Sequence, residues 1–316
     1  MSAVAPTLKS TMPLDAQPSA ELEARVSPAT LIRRNEPLAR RTTLRVGGPA
    51  DLYVEPASEP DLAGLLRYCA EQRIPWLLLG RGSNLLVRDG GFRGMVICLA
   101  QAAFSSIEVV GNKLRCGAGA KLKVVAVEAR RNEMGGLEFL EGIPGSVGGA
   151  LRMNAGAMGG ETFQVVETVR LMETSGEIRE VTPRDLAVAY RGCVSLKDRI
   201  ALSAVLVGQP APREQIEKRM NEFSQKRWHS QPAAPSAGCM FKNPIGNSAG
   251  KLIDELGLKG TRVGGAVVSQ EHGNFLVNDG GATARDVLEL IEVIRRRVRE
   301  QRGVELEAEV QMIGID

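Results

Sequence analysis

The chain has 316 residues, 43% apolar and 24% charged, proportions that exclude a disordered or collagen-like polymer and suit about two domains. Forty Lys and Arg against 37 Asp and Glu leave a net charge of +3, too small a surplus to mark a nucleic-acid binder, although acidic small ligands stay open. No run of about 18 apolar residues could span a membrane, and no basic start with an apolar stretch marks a signal peptide, so a cytoplasmic location is expected.

Residues 1–28, with Pro6, Pro13, Pro18 and Pro28 among Ala and Ser, read as a flexible tail. A first region is expected over 29–211. It opens with a glycine turn and strand at 45–54, then a helix from Asp61 with Leu62, Leu65, Leu66 and Cys69 on one face. A short apolar strand, Ile74 to Leu79, runs straight into a glycine loop at 80–85. Strands at 95–99 and 106–110, a helix at 122–132, the glycine-dense stretch 142–160 and strands at 165–173 and 200–207 complete the region. Gln209-Pro-Ala-Pro212 reads as a linker, and 212–316 as a second region. Its first helix carries Ile216, Met220 and Phe223 and ends near Trp228. A second is expected at 250–256. The last helix opens at Thr283, paired with Asp286 as in a capping box, and buries Val287, Leu290, Ile291, Ile294 and Val298. In the terminal strand Val304, Leu306, Ala308, Val310 and Met312 take one face, and Glu305, Glu307, Glu309 and Gln311 the other.

Glycine is unusually frequent, 35 residues, while aromatics are few. Backbone brought close to a ligand explains this better than a stacking platform does. Gly80-Arg81-Gly82-Ser83-Asn84-Leu85 follows a strand as a dinucleotide loop should, but Leu85 stands where the third glycine of GxGxxG belongs. Gly117-Ala-Gly119 fails in the same way. Gly246 to Lys251 is one residue short of a phosphate loop, with Leu252 in place of the magnesium-binding hydroxyl. A Rossmann dehydrogenase and a P-loop NTPase are therefore disfavoured. Gly142-Ile143-Pro144-Gly145-Ser146-Val-Gly148-Gly149 spaces its glycines to bare successive N–H groups, and two such loops in one region favour a large phosphate-bearing cofactor. The five cysteines, Cys69, Cys98, Cys116, Cys193 and Cys239, form no CxxC pair, and only His229 and His272 join them; neither a disulfide framework nor a metal site is expected. Taken singly, Cys239 reads as a small buried hydrophobe, Arg191 as a surface charge, and Glu309 as a solvated position. Arg295, Arg296, Arg297 and Arg299 read as a solvated helix face.

The segments 43–50 (TLRVGGPA), 79–87 (LGRGSNLLV), 142–150 (GIPGSVGGA), 153–157 (MNAGA), 190–191 (YR), 235–244 (PSAGCMFKNP), 249–254 (AGKLID) and 306–310 (LEAEV) together resemble the UDP-N-acetylenolpyruvoylglucosamine reductase family, over roughly residues 30–314. The resemblance implies an α+β fold. Its FAD-binding region, of the vanillyl-alcohol-oxidase (PCMH) type, has two subdomains over 29–211, and a C-terminal substrate domain follows over 212–316. It explains the failed fingerprints, because that fold holds FAD without GxGxxG. Gly80 to Leu85 and Gly142 to Gly149 then resemble the pyrophosphate loops, with Asn154 and Gly156 near the cofactor. NADPH is implied as hydride donor and a UDP-sugar as the small-molecule substrate, with Tyr190, Lys242 and Asn243 as substrate contacts. Arg191 and Glu309 are implied to stabilise an enolate and Cys239 to protonate it. Cys239 stands where relatives often carry Ser, Cys193 departs likewise, and Ser230 replaces a basic residue before Gln231-Pro232. Lys226, Arg227 or another arginine is left to meet the substrate diphosphate. The oligomeric state is open. A flavin oxidase using oxygen and a non-catalytic flavin module are the rival readings.

Overall fold

The computed structural model describes residues 20–316. The proposed tail therefore lies outside the described residues up to position 19, and its remainder is corrected. Ala20–Glu23 forms a turn of helix (α1) that buries Leu22. Asp61, itself buried, accepts hydrogen bonds from Ser27 N–H (2.8 Å), Ser27 Oγ (2.8 Å) and Thr30 Oγ1 (3.0 Å). Three donors on one carboxylate anchor this segment to the domain. Burial pushes the Asp61 pKa up, but the bonds from Ser27, Ser58 and Thr30 outweigh it and the net direction is down. A carboxylate with a depressed native pKa stabilises the fold above the unfolded value of about 3.9, and that stabilisation fades as pH falls through the native value. Asp61→Ala is expected to cost about 2–3 kcal/mol at neutral pH, with the gap to the parent narrowing in acid. Urea titrations at several pH values would measure it, and a gap that did not change with pH would contradict the assignment.

Three sheets organise the chain. In the first, β1 (Leu31–Pro37) runs antiparallel to β2 (Pro49–Glu55), which pairs in parallel with β5 (Phe92–Cys98), itself parallel to β3 (Trp76–Leu79). Parallel strands need crossovers, and α2 (Glu59–Glu71) supplies one. Ser58 caps it by accepting from Asp61 N–H, and Leu62, Leu65, Leu66 and Cys69 are buried. Between β3 and β5 lies the short strand β4 (Leu85–Val87). The second sheet is antiparallel, in the order β9 (Ile178–Val181), β8 (Val166–Met172), β10 (Ile200–Val207), β7 (Lys113–Gly117), β6 (Ile107–Val110). The helices α3 (Leu122–Arg131) and α4 (Val147–Met153) bury Leu122, Val125, Val147 and Leu151 in the core it shares with the first sheet.

The helix α5 (Arg213–Ser230) follows the proline linker but does not belong with the last region's core. Its Ile216 and Met220 are buried in the core of the first two sheets. The packing thus changes after α5, not at 211/212. Behind it, β11 (Ser236–Cys239), β14 (Phe275–Asn278), β13 (Ala266–Val268) and β12 (Arg262–Val263) form the third sheet. Next to it lie α6 (Ala249–Glu255) and α7 (Ala284–Arg302). The Thr283–Asp286 capping box is formed in both directions, and Gly303 ends α7 in the left-handed conformation. This core also takes Leu44, Val46 and Leu86 from the N-terminal region. Asp89 caps α7 from outside, accepting Ala284 N–H and Arg285 N–H at 2.9 Å each. β15 (Gln311–Ile313) pairs in parallel with β4. The terminal residues are therefore stitched beside the 80–85 loop. Among the described residues no helix is long and apolar enough to cross a membrane.

Candidate active site

A cavity of about 2400 Å³ opens where the three sheets converge. That exceeds the 300–1,000 Å³ of a usual small-ligand pocket and leaves room for a dinucleotide with a second ligand beside it. All six residues from Gly80 to Leu85 line it, as do Gly142, Ile143, Pro144, Gly145, Ser146, Gly148 and Gly149. The two glycine loops meet: a Cβ on Gly80 would stand 2.9 Å from Ser146 Oγ. The N–H groups of Arg81, Gly82, Ser83 and Asn84 find no acceptor among the described residues. A Cβ at Gly142 would meet nothing within 4 Å, and one at Gly145 only side-chain carbons at 3.4 and 3.9 Å. The bare N–H groups of the 80–85 loop, at the carboxyl end of a parallel strand, suit a diphosphate. The 142–149 loop is a correction, because Gly145 N–H donates to Ile143 O (2.9 Å), Val147 N–H to Ala120 O (2.9 Å) and Gly148 N–H to Ala118 O (2.7 Å). It fits FAD by close backbone approach and not by bared donors. Gly82 has a further reason to be glycine: its φ is +61° and a Cβ would sit 2.4 Å from Arg41 O.

Asn154 is a correction. It is 4% exposed and lies off the cavity wall. Its Nδ2 donates to Glu161 Oε2 (3.0 Å) and Ala189 O (3.2 Å), and its Oδ1 accepts from Phe163 N–H (3.3 Å). A left-handed residue ending α4 (φ +38°) thus serves the chain itself, holding the base of the next hairpin. Gly156 does line the cavity.

That hairpin pairs Val188 with Cys193 and Ala189 with Gly192, so Tyr190 and Arg191 form a two-residue loop. Arg191 has φ +57°, a conformation that costs a non-glycine residue about 1 kcal/mol or more. Strain of this kind persists only where the surroundings fix it, and here they do. Arg191 Nη1 donates to Gly156 O at 3.3 Å, and the guanidinium lies 5.4 Å from the Tyr190 ring centroid. Its Nε stands 3.1 Å from Glu309 Oε1 in an ionic contact. The Nε–H is not aimed at that oxygen and has no hydrogen-bond partner. Tyr190 itself is 55% exposed and off the cavity wall.

Glu309 arrives from the C-terminal segment. Its N–H donates to Met240 O (2.9 Å), and its carbonyl accepts from Asn84 Nδ2 (3.2 Å). Expected on a solvated face, its side chain is only 14% exposed. Burial raises its pKa against the lowering pull of Arg191 and Lys242. Cys239, at the end of β11, lines the same part of the cavity. Burial and the nearby Glu309 push its thiol up to about 11, while Arg191 and the Asn274 amide pull the other way. Arg191, Glu309 and Cys239, remote in sequence, thus meet at one end of the cavity.

Lys242 and Asn243, expected as substrate contacts, lie off the wall. Lys242 Nζ pairs with Glu307 Oε1 (2.6 Å), and Asn243 Oδ1 accepts from Ala249 N–H (3.1 Å) at the start of α6. Of the basic residues left for a diphosphate, Arg227 is on the wall and Lys226 is not. Arg227 Nη1 donates to Gly142 O at 2.6 Å. Sequence reading missed Asn274, Arg152 and Gln311. The last two line the cavity, and nothing in their local sequence distinguishes them.

Comparison with known proteins agrees with this geometry. Residues 50–182 match the model of an FAD binding domain, and 231–313 that of the C-terminal domain of UDP-N-acetylenolpyruvoylglucosamine reductase. The UDP-N-acetylenolpyruvoylglucosamine reductase of Clostridium novyi is 42% identical over 90% of this chain and 92% of its own. That of Heliobacterium modesticaldum is 47% identical over 89% and 90%. The crystal structure of the reductase from Thermus caldophilus superposes with a TM-score of 0.78 at 41% identity, covering 90% of this chain and 98% of that one. With its α+β fold, FAD-binding region and full-length relatives, the chain belongs to the UDP-N-acetylenolpyruvoylglucosamine reductase family.

Proposed function

We propose that the chain reduces UDP-N-acetylglucosamine enolpyruvate to UDP-N-acetylmuramate, a step of peptidoglycan precursor synthesis, with hydride drawn from NADPH. The observation that carries the reading is the meeting of the Arg191 guanidinium, the buried Glu309 carboxyl 3.1 Å from it and the Cys239 thiol on the wall of a dinucleotide-sized cavity. FAD, held by the 80–85 and 142–149 loops, would supply the two-electron hydride chemistry between NADPH and the vinyl carbon remote from the ether oxygen. The chain's own residues do the rest. Arg191 presents a permanent planar cation to the substrate carboxylate, where charge builds as the enolate forms. Glu309 keeps that cation oriented and, with its pKa raised, is more readily protonated than an ordinary carboxyl. Cys239, held up to about 11, retains its proton at neutral pH and can deliver it from Sγ to the carbon that bears the enolate charge. Arg227 is the residue best sited for the substrate diphosphate.

An anaerobic stopped-flow experiment on the flavin-loaded protein tests this. NADPH is expected to bleach the flavin, and the enolpyruvyl substrate to restore its colour without oxygen. Restoration by air alone would instead mark an oxidase.

A further inference from the structure

The 80–85 loop is braced by a segment remote in sequence. β1 runs into a turn of 3₁₀ helix, Leu38–Arg41, and residues 41–43 then cross the loop as a strap. The two backbones touch: a Cβ on Gly82 would stand 2.4 Å from Arg41 O and 2.8 Å from Thr42 Cα. Thr43 holds one loop carbonyl twice, its N–H donating to Gly82 O at 3.2 Å and its hydroxyl to the same oxygen at 3.3 Å. In a trans peptide the C=O and the N–H point opposite ways. Holding Gly82 O against Thr43 therefore turns Ser83 N–H away from the strap. That N–H is one of the four without an acceptor, and Ser83 lies on the cavity wall. The strap itself is pinned by Arg41. Its Nε donates to Glu36 Oε1 at 2.7 Å, and its Nη2 stands 2.7 Å from the same oxygen. Glu36 belongs to β1 and is 9% exposed. Nη1 stands 3.7 Å from Glu55 Oε1 at the end of β2, which also accepts from the Tyr53 hydroxyl at 2.8 Å. The guanidinium lies over the Tyr53 ring, 4.3 Å from its centroid.

We propose that Arg41 is a positioning residue for the cofactor diphosphate: by pinning the 41–43 strap to β1 and β2, it sets the Gly82–Ser83 peptide so that Ser83 N–H is offered to a phosphate oxygen. The inference rests on the 80–85 loop holding the diphosphate of FAD, and it is independent of the reductase reading. Its logic is one of direction. A peptide held the right way round costs no reorientation when the anion arrives. Released from Thr43, the same peptide can turn its carbonyl to the cavity and set a negative oxygen against the phosphate. Arg41 acts through the strap and not on the ligand, because its planar fork is spent on Glu36 and Glu55 and its flat face on Tyr53.

The test frees the full-length chain of flavin and titrates it with FAD and with riboflavin, which lacks the diphosphate, following flavin fluorescence. The parent is compared with Arg41→Met, Arg41→Lys and Thr43→Val. Arg41→Met is expected to weaken FAD binding by about ten-fold or more, the scale of a lost hydrogen bond to a charged group, and riboflavin binding by less than about two-fold. Arg41→Lys should recover only part of the loss, since an ammonium lacks the fork that spans Glu36 and Glu55. Thr43→Val, which removes the hydroxyl and keeps the shape, should weaken FAD by about three-fold and again spare riboflavin. Equal weakening of both ligands would make Arg41 a residue of the scaffold alone and would overturn the proposal. So would an unchanged FAD affinity in Arg41→Met. If Arg41→Met does not fold, Thr43→Val decides: a loss confined to FAD supports the proposal, and an unchanged affinity or a second failure to fold overturns it. If the parent binds riboflavin as tightly as FAD, the diphosphate assignment of the loop itself fails. If the parent favours FAD and the variants keep that preference, only the positioning role fails.

Discussion

Replacing Cys239 by Ala is expected to slow the substrate half-reaction by roughly 10²- to 10⁴-fold, the usual contribution of a positioned general acid, and to leave flavin reduction by NADPH within a few-fold of the parent. The asymmetry follows from where the thiol stands. Cys239 is beside Glu309 and Arg191 at the end of β11, whereas the 80–85 loop keeps its bare N–H groups, and the 142–149 loop its place on the cavity wall, whatever side chain occupies 239. Cys239→Ser is expected to recover a substantial part of the rate, because a hydroxyl reaches the same place. Single-turnover stopped flow separates the two half-reactions. Equal slowing of both would show that residue 239 supports the fold of the site and not proton transfer.

Arg191→Met carries the second large effect, a fall in the substrate half-reaction of about 10²- to 10³-fold, as when a preorganised donor to a developing oxyanion is removed. The cation there has no obvious substitute, because Lys242 is engaged with Glu307 and off the cavity wall. Arg191→Lys should recover little, since an ammonium lacks the planar fork. Arg191→Gly separates catalysis from stability. It loses the cation, yet it relieves the φ of +57°, so melting should move upward while turnover collapses. Thermal melts alongside single-turnover rates would check both. A destabilised Arg191→Gly would mean that the Gly156 and Glu309 contacts outweigh the strain.

Much of the scaffold was legible. Helix α7 announced itself through Thr283, Asp286 and its stripe from Val287 to Val298, because a cap and a 3.6-residue period are local properties. The two glycine loops were legible for the same reason, and both line the cavity. Helix α5 was correctly predicted as amphipathic yet assigned to the wrong side of the linker. Its apolar face says that it must pack, while the choice of partner core depends on what folds nearby. Asn154, Lys242 and Asn243 carried functional expectations from motif position. In the folded chain Asn154 and Asn243 cap and brace backbone, Lys242 pairs with Glu307, and none of the three lines the cavity.

The strand expected over 304–312 forms only at Gln311–Ile313, yet by itself the sequence determined most of the helices, part of the strands, the glycine loops of a large ligand site and, through ordered motifs, the family. Those are set by short-range sterics, capping and periodicity, which a few neighbouring residues encode. Only the tertiary structure decided the chemistry of the individual groups. Glu309 sits on the polar side of an alternating segment, and burial raises its pKa, against the lowering pull of Arg191, only because β15 pairs with β4 and carries it into the closed site. Desolvation and Coulomb interaction depend on distances between atoms, and residues 191, 239 and 309 acquire such distances only when the sheets close around the cavity.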